Sequence, residues 1–322
     1  MDEILIGTVL ASTLRVATPL ILCALAGLIS ERSGVIDLGL EGKMLFAACA
    51  AASAGAMWGS TAVAIAMGLG VAVILSWLHG LACVSHPGDQ VVSGMAVNII
   101  AAGLTVVLAS AWFHQGGQTP PVGDAVRMRA LWPALADTWQ GIPVLGAIVG
   151  GGLLSHNIMV YLALALVPAV WWLLYRTRFG LRLRAVGENP AMVDAAGVSV
   201  SRLRYSALTL NGLLCGAAGC YLVLAQNALF VPHMTAGRGY MALAAMIFGK
   251  WHPVGALWAC LLFGFLDAVA IRLQGVAVPG IGEIPVQLVQ ALPYLLTVIL
   301  LAGFIGRATA PKALGLPYLK ER

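Results

Sequence analysis

The chain has 322 residues, of which 60% are hydrophobic and only 10% are charged, and its formal net charge is +5. Because soluble domains carry about 25% charged residues, this composition excludes an ordinary soluble domain, and its high hydrophobicity excludes a disordered chain. The positive charge does not indicate a nucleic-acid partner, because a third of the basic residues lie in one loop and no basic face with stacking aromatics is present.

Long apolar runs predict membrane-spanning helices, since one crossing needs about 20 apolar residues. Eight runs reach or approach this length, in chain order Thr8–Ile29, Met44–Trp58, Thr61–Val84, Val91–Phe113, Ile158–Tyr175, Ser206–Gln226, Val254–Leu273 and Gln287–Ile305. A ninth apolar piece, Gly237–Gly249, is short. The sequence therefore predicts an all-α, polytopic transmembrane helical bundle of about 8–10 spans with interrupted helices, forming a single domain over residues 1–322.

Between the first two runs, charged residues and closely spaced glycines interrupt the apolar pattern over residues 31–43. Backbone that leaves a helix inside a membrane must be buried in protein or line a wet cavity, and such interruptions mark the pathway in transporters. Asp37 and Glu41 favour this interpretation, because a carboxylate within a membrane is costly unless it is paired or hydrated. For Glu31, Arg32 and Lys43, an ordinary loop whose charges reach the membrane boundary is an equally good interpretation.

Two asparagines lie within later spans. Asn98 is in the middle of Val91–Phe113, and Asn211 is near the start of Ser206–Gln226. For each alone, a hydrogen bond between helices is the better interpretation than substrate contact, and such a bond contributes about 0.6–2 kcal/mol.

The longest polar interval is Phe113–His156, which the predicted topology places on the extracytoplasmic side. A free connector is the default interpretation of such a loop, and a docking lip for another protein is the alternative.

An arginine-rich loop, residues 176–205, predicts the orientation of the chain. Lys and Arg accumulate in cytoplasmic loops, so this loop and the basic tail are both expected in the cytoplasm. An even number of crossings must separate them, which makes Gly237–Gly249 a crossing or makes another segment re-entrant. The total is then about nine crossings, with the N-terminus outside. The basic residues are Arg176, Arg178, Arg182, Arg184, Arg202 and Arg204 in the loop, and Arg307, Lys312, Lys320 and Arg322 in the tail.

Within this loop, the sequence has the start and stop signals of a complete short helix. Asn189 is a good N-cap, Pro190 fits the first helical position, and Gly197 fits the position after the C-cap. The predicted helix, Pro190 to Ala196, has about two turns and is too short to be stable alone. It must therefore pack against its own bundle or against a partner, and its small exposed residues suit a groove on another protein.

A second interruption, residues 232–240, contains Gly237, Arg238, Gly239 and Tyr240 and leads into the short ninth piece. Here too, backbone that leaves a helix inside the membrane must be buried in protein or line a wet cavity. The two interruptions are therefore predicted to lie along one translocation pathway.

The stretch FGLRLRAVGENPAMVDAAGVSVSRLR resembles the coupling-helix loop of permease subunits from bacterial ABC importers, in the branch that serves ribose-like sugars, nucleosides and branched-chain amino acids. Three further stretches agree: ERSGVIDLGLEGKM, DQVVSGMAVNIIAAGLT and TAGRGYMALAAMIFGKWHPVGAL. Together they are most similar to the nucleoside-type permeases. The resemblance extends from about Leu20 to Gly306 and so covers nearly the whole chain.

The resemblance implies a transport subunit, not an enzyme, in the bacterial cytoplasmic (inner) membrane, with no cofactor or metal. The implied partners are two ABC ATPase subunits, a second and related permease chain, and an extracytoplasmic substrate-binding protein. In agreement, the sequence has no GxxxxGK[ST] phosphate-binding pattern of its own. The residues that match the coupling element are Gly187, Glu188, Asn189, Pro190, Asp194, Ala195, Ala196 and Gly197. Met192-Val193 departs from the small or acidic pair that is common there.

The expected function is import of a small polar solute, most like a nucleoside, with a ribose-type sugar as the alternative. A stand-alone secondary transporter or channel would explain the composition equally well but would leave the capped cytoplasmic helix without a purpose. A membrane-embedded enzyme is disfavoured by the lack of HExxH and GxSxG motifs. The predicted pathway residues are Asp37, Gly39, Glu41, Gly42, Asn98, Gly237, Arg238, Gly239 and Tyr240.

Overall fold

The computed structural model describes residues 2–139, 146–273, 277–278, 282–283, 291, 295 and 309–318. In this part of the chain the helices are α1 (Asp2–Arg32), α2 (Leu40–Trp58), α3 (Thr61–Gly80), α4 (Gln90–Phe113), α5 (Pro133–Trp139), α6 (Ile158–Arg176), α7 (Arg178–Glu188), α8 (Pro190–Ala195), α9 (Val200–Tyr221), α10 (Arg238–Phe248) and α11 (Pro253–Leu273). Three segments are wider π-helix, namely Leu81–Ser85 after α3, Gly146–Leu153, and Leu222–Asn227 after α9. The strands β1 (Ala277–Val278) and β2 (Gly282–Glu283) form an antiparallel pair.

The predicted all-helical membrane bundle is confirmed. Seven of the eight apolar runs lie within α1, α2, α3, α4, α6, α9 and α11 together with their π-helical extensions, and the short ninth piece is α10. Six helices of the described chain are long and apolar enough to cross a membrane. The eighth run, Gln287–Ile305, and the tail residues Arg307, Lys320 and Arg322 lie outside the described residues, so the total of nine crossings stays a prediction.

Two helices form the centre of the bundle. In α1 and α9, 78% of the most apolar stretch is buried, against 28% to 33% in the other four candidate spans. Close packing of α9 on α3 depends on small residues. A Cβ atom at Gly212 would lie 2.7 Å from the Val73 Cα atom, and one at Gly216 would lie 2.9 Å from the Leu69 Cα atom. Small residues allow two helix backbones to approach in this way.

The short helix α10 and the non-helical turns before it extend along α1. The segment that follows α9 ends beside Arg15, whose carbonyl oxygen accepts a hydrogen bond from Gln226 Nε2 (2.8 Å). The turn that follows α10 lies beside Arg32, whose Nε donates to the Trp251 carbonyl (3.0 Å). Arg15 and Arg32 are about 25 Å apart along α1 at 1.5 Å per residue. An 11-residue helix covers only part of this distance, and the turns before and after α10 cover the rest. This is why the apolar run of α10 is short.

The loop between α4 and α6 is not the free connector of the default interpretation. Its backbone N–H groups donate to the segment that follows α9, from Val122 to the Ala228 carbonyl (2.7 Å) and from Met128 to the Leu224 carbonyl (2.8 Å). Residues 224–230 leave regular helical geometry, so their carbonyl groups need donors from elsewhere. Residues 119–128 of the loop supply these donors and pack as part of the bundle.

Candidate functional site

The two interrupted segments meet at the start of α10. Glu41, in the first turn of α2, accepts hydrogen bonds from the backbone N–H groups of Gly237 (2.9 Å, Oε1) and Gly239 (2.6 Å, Oε2). The first N–H groups of a helix have no partner within it and carry partial positive charge, so a carboxylate is well suited to this position. Gly239 permits the contact, since a Cβ atom there would lie 2.6 Å from the Glu41 Cα atom.

Asn98 of α4 joins both segments to a third helix. Its Oδ1 accepts a hydrogen bond from the Gly42 backbone N–H (2.7 Å), and its Nδ2 donates to the Leu38 carbonyl (2.8 Å) and to the Tyr240 hydroxyl oxygen (2.8 Å). The interhelical hydrogen bond expected for Asn98 is therefore present. The same side chain also fixes the position of the Tyr240 ring.

These side chains surround a cavity of about 320 Å³, which is within the range of small-molecule sites. Its wall is largely apolar, and its few polar groups come from three elements that converge on it. The lining residues are Glu41, Gly42, Leu45, Met95, Asn98, Ile99, Ala102, His233, Thr235, Ala236, Gly237 and Tyr240. The Tyr240 side chain is 41% exposed, so much of its ring is free to contact a ligand.

A buried ion pair stabilises the first interrupted segment behind this wall. Lys43 and Asp37 form a salt bridge in which both side chains are fully buried, and Lys43 Nζ also donates to Asn211 Oδ1 of α9 (3.1 Å). Asp37 Oδ1 accepts from the Gly39 backbone N–H (3.0 Å). The boundary interpretation of Lys43 is therefore wrong, because its charge is neutralised inside the bundle and does not reach the membrane surface.

The other two charges of this segment bind the turn that follows α10. Glu31, which is 4% exposed, accepts a hydrogen bond from Trp251 Nε1 (2.6 Å). Arg32 Nη2 donates to the carbonyl oxygen of the same tryptophan (2.7 Å). The boundary interpretation of these two charges is therefore also incomplete, since both side chains tie the end of α1 to the end of α10.

The structure brings five of the nine predicted pathway residues to the cavity wall: Glu41, Gly42, Asn98, Gly237 and Tyr240. It places Asp37, Gly39, Arg238 and Gly239 next to the wall but outside it. Their roles in transport stay predictions.

Some lining residues were missed at the sequence level. Met95, Ile99 and Ala102 lie on the same face of α4 as Asn98, and helical spacing from Asn98 would have found them. His233 has a positive φ of 56°, and no sequence signal predicts that conformation.

The cytoplasmic loop contains the predicted short helix and one further helix. In α8, Asn189 Oδ1 accepts a hydrogen bond from the Met192 backbone N–H (3.1 Å), Pro190 is the first helical residue, and Gly197 has a φ of +79°. The helix ends at Ala195, one residue before the predicted end. The additional helix, α7, was not predicted and begins at a Thr177 cap whose Oγ1 accepts from the Gly180 backbone N–H (3.0 Å).

One side of α8 packs on its own bundle, and the other side is open. Val193 is buried against Val186, Val200 and Leu203, whereas the Met192 side chain is 69% exposed. Of the predicted coupling residues, Gly187 is buried, Pro190 and Asp194 are half-buried, and the exposed ones are Glu188, Asn189, Ala195, Ala196 and Gly197. The exposed face is therefore rich in small side chains, as expected for a helix that enters a groove.

Known transport permeases match this chain over nearly its whole length. The family described as "Branched-chain amino acid transport system / permease component" matches residues 9–301. The guanosine ABC transporter permease NupQ of Bacillus subtilis is 39% identical, with coverage of 99% of this chain and 98% of that protein. The nucleoside ABC transporter permease NupC of Lactococcus lactis is 37% identical over 98% and 97% of the two chains. A putative glucose ABC transporter permease of Haloferax volcanii is 34% identical over 97% of each.

A solved structure has the same fold. It is described as an inward-facing conformation of a putative metal-chelate type ABC transporter, and it aligns with a TM-score of 0.50 over 93% of this chain and 87% of that chain. At 16% sequence identity the likeness concerns the fold alone.

Proposed function

The chain belongs to the family of branched-chain amino acid transport permeases, and on that premise we propose that it is the membrane-spanning subunit of an ATP-driven importer that carries a nucleoside into the cytoplasm. It is a multi-pass protein of the inner membrane and a transport subunit, not an enzyme. The nucleoside assignment is supported by two relatives named for guanosine and nucleoside transport. The sugar alternative is supported by the relative named for glucose, which is less similar.

The observation that carries the proposal is the cavity where Glu41, Asn98 and Tyr240 converge. A nucleoside has a flat heterocycle, which can stack on an aromatic ring, and hydroxyl and amino groups, which can donate to a carboxylate. The Tyr240 ring and the Glu41 carboxylate offer these two kinds of contact in a largely apolar cavity. The carboxylate also disfavours an anionic ligand such as a nucleotide.

Transport by this geometry follows alternating access. The Glu41 carboxylate holds the start of α10 against α2, so a shift of α10 relative to α2 changes the shape of the cavity. The exposed face of α8 is where an ATPase would apply its force. ATP binding then biases the bundle between two states through contacts that differ between them.

The partners are proposed first by class and then by number. An ABC ATPase and an extracytoplasmic binding protein accompany permeases of this class. Two ATPase copies and a second, related permease chain are the more specific proposal. Residues 176–205 would face the ATPases, and residues 113–156 would lie on the extracytoplasmic side, within one transmembrane domain over residues 1–322.

Uptake into proteoliposomes tests the proposal. The permease, its partner permease and the ATPase subunits are reconstituted together, the binding protein is added outside, and uptake of radiolabelled guanosine is measured with ATP inside. ATP-dependent uptake that unlabelled nucleosides inhibit and ribose does not is expected. Uptake that proceeds without the ATPase subunits would indicate a stand-alone transporter, and inhibition by ribose alone would indicate a sugar permease.

The contact with Tyr240 has its own test in the same assay. Tyr240→Ala removes the ring, and stacking of a base on an aromatic side chain contributes about 1–3 kcal/mol, so the KM for guanosine is expected to rise about tenfold. The matched control is Trp112→Ala, which removes an exposed aromatic ring at the end of α4 away from the cavity. Equal KM values for Tyr240→Ala and the wild type would place the base elsewhere.

A further inference from the structure

A segment near the C-terminus, residues 309–318, folds back over the base of the cytoplasmic loop; we call it the strap. Ala313 is 5% exposed, and its backbone N–H donates to the Gly187 carbonyl (2.8 Å). Two residues later, the Gly315 N–H donates to the Gly34 carbonyl (3.2 Å). Gly187 lies at the base of the coupling element, and Gly34 lies at the start of the first interrupted segment. The strap therefore connects two elements that are far apart in sequence.

Arg204, in the second turn of α9, reinforces this connection. Its side chain is 1% exposed, its Nε donates to the Ser33 carbonyl (3.3 Å), and its Nη2 donates to the Leu316 carbonyl (3.4 Å). A buried guanidinium group is costly unless its donors are satisfied, and its planar fork can bridge two acceptors. In the part of the chain that the structure describes, Arg204 forms no salt bridge. Its charge is therefore used to hold two backbone segments together.

Three glycines allow these backbones to come close. At Gly34, which has a φ of +84°, a Cβ atom would lie 3.1 Å from the Ala313 carbonyl oxygen and 3.2 Å from Arg204 Nη2. At Gly315, which has a φ of +77°, a Cβ atom would lie 2.9 Å from Ile36 Cδ1. Gly187 packs directly against the Arg32 carbonyl group. The junction is tightly packed at these three points, so its parts are expected to move together.

The strap also reaches the coupling helix. Tyr318 packs against the apolar cluster in which Val193 anchors α8. It also lines a hollow of about 220 Å³ together with Asp194 and Gly197. On the opposite side, the strap contacts Gly34 and Ile36, which lie just before Asp37 and Glu41 in the chain. One connected set of contacts thus extends from α8 to the wall of the cavity.

We propose that Arg204 and the strap are positioning elements that transmit the movement of the coupling helix to the first interrupted segment. This inference rests on the proposed function and adds the physical connection between ATP hydrolysis and the cavity. When the ATPase displaces α7 and α8, Gly187 moves the strap, and the strap moves residues 33–36 with the start of α2. Without the strap, less of the displacement of α7 and α8 would reach the cavity.

The test is Arg204→Gln in the complete reconstituted transporter, with Arg272→Gln as the control. Arg272 is exposed near the end of α11 and lies outside the loop that would face the ATPases, so both variants lose one positive charge. The measured quantity is the amount of guanosine imported per ATP hydrolysed. Arg204→Gln is expected to assemble and hydrolyse ATP while this ratio falls at least about fivefold, as for the loss of a typical coupling free energy. Arg272→Gln is expected to match the wild type, and Arg204→Lys to recover part of the ratio.

A second variant keeps the proposal testable if Arg204→Gln does not assemble. Gly315→Ala pushes the strap away from Ile36, and Gly59→Ala is its control, because Gly59 also has a positive φ of 61° but has open space around its Cα. Gly315→Ala is expected to lower the import ratio, and Gly59→Ala is not.

Wild-type ratios in both Arg204→Gln and Gly315→Ala would overturn the inference, and so would loss of assembly in both, which would indicate a purely structural role. Absence of nucleoside import by the wild-type complex would instead contradict the proposed function.

Discussion

At the scale of single residues, the buried pair of Asp37 and Lys43 explains why charges are tolerated in the middle of an apolar bundle. Both side chains are fully buried, and Lys43 also binds Asn211, so the pair connects the first interrupted segment to the central helix α9. Removal of one partner leaves an uncompensated charge, whereas removal of both leaves a neutral site. The two cases are therefore expected to differ strongly in stability.

Lys43→Met is expected to lower the free energy of unfolding by about 3–5 kcal/mol, because Asp37 then remains buried and unpaired. The double variant Asp37→Asn with Lys43→Met is expected to be more stable than Lys43→Met alone. Denaturant titration in detergent micelles measures both values. Asp124→Asn, which removes an exposed carboxylate, serves as the control and is expected to have little effect. A double variant no more stable than Lys43→Met alone would contradict this account.

Sequence patterns predicted much of the site at this scale, and the remainder has a physical reason. Glycines and charges indicated both interrupted segments, since such residues are improbable in a regular span. The partners were not predictable, because the hydrogen bonds that the Gly237 and Gly239 N–H groups donate to Glu41 join residues almost 200 positions apart, and no local rule specifies them. The same holds for the hydrogen bond that Lys43 donates to the distant Asn211.

At the scale of elements, α8 shows how local signals specify a short helix while tertiary contacts make it stable. Asn189, Pro190 and Gly197 determine where it begins and ends, and Val193 anchors it on a cluster contributed by α7 and α9. The neighbouring helix α7 was not predicted, because its many arginines indicate the orientation of the chain in the membrane and not a helix. Its buried residues Gly180, Leu183, Val186 and Gly187 follow helical spacing, and this pattern would have identified it.

The exposed face of α8 gives a prediction at this scale. Ala195→Phe adds a large side chain to an exposed position, so the fold is expected to keep its thermal stability while import of guanosine is lost, because the groove of an ATPase has no room for the ring. Import and thermal unfolding are measured on the same preparation. Val107→Phe enlarges an exposed residue on α4, outside the cytoplasmic loop, and serves as the control. Import at the wild-type rate with Ala195→Phe would exclude α8 from the coupling interface.

At the scale of the whole molecule, the loop between α4 and α6 closes the bundle over the segment that follows α9. His156 lies at its end, is 3% exposed, and has Nε2 3.0 Å from the Gly152 carbonyl oxygen. Burial lowers the pKa of His156, the positive charge of Arg15 lowers it further, and the Gly152 carbonyl partly offsets both effects. The imidazole is therefore neutral in the folded protein at neutral pH.

This shift makes stability depend on pH. Because the unfolded chain binds a proton at His156 at a higher pH than the folded chain, stability is highest above the usual histidine pKa of about 6.5 and is lost as the pH falls below it. The unfolding temperature is expected to decrease between pH 7 and pH 5, and His156→Gln is expected to reduce this decrease. Differential scanning fluorimetry at a series of pH values measures both. An identical decrease in the variant would assign the pH dependence to other groups.

The contact of Glu41 with the start of α10 has a consequence for how solute binding and movement are linked. The Glu41 carboxylate accepts from the first amide groups of the helix and also lines the cavity. A group that donates a hydrogen bond to Glu41 from the cavity therefore also changes how firmly Glu41 holds α10. The solute itself is expected to bias the position of α10 when it binds, so that a loaded carrier moves more readily than an unloaded one.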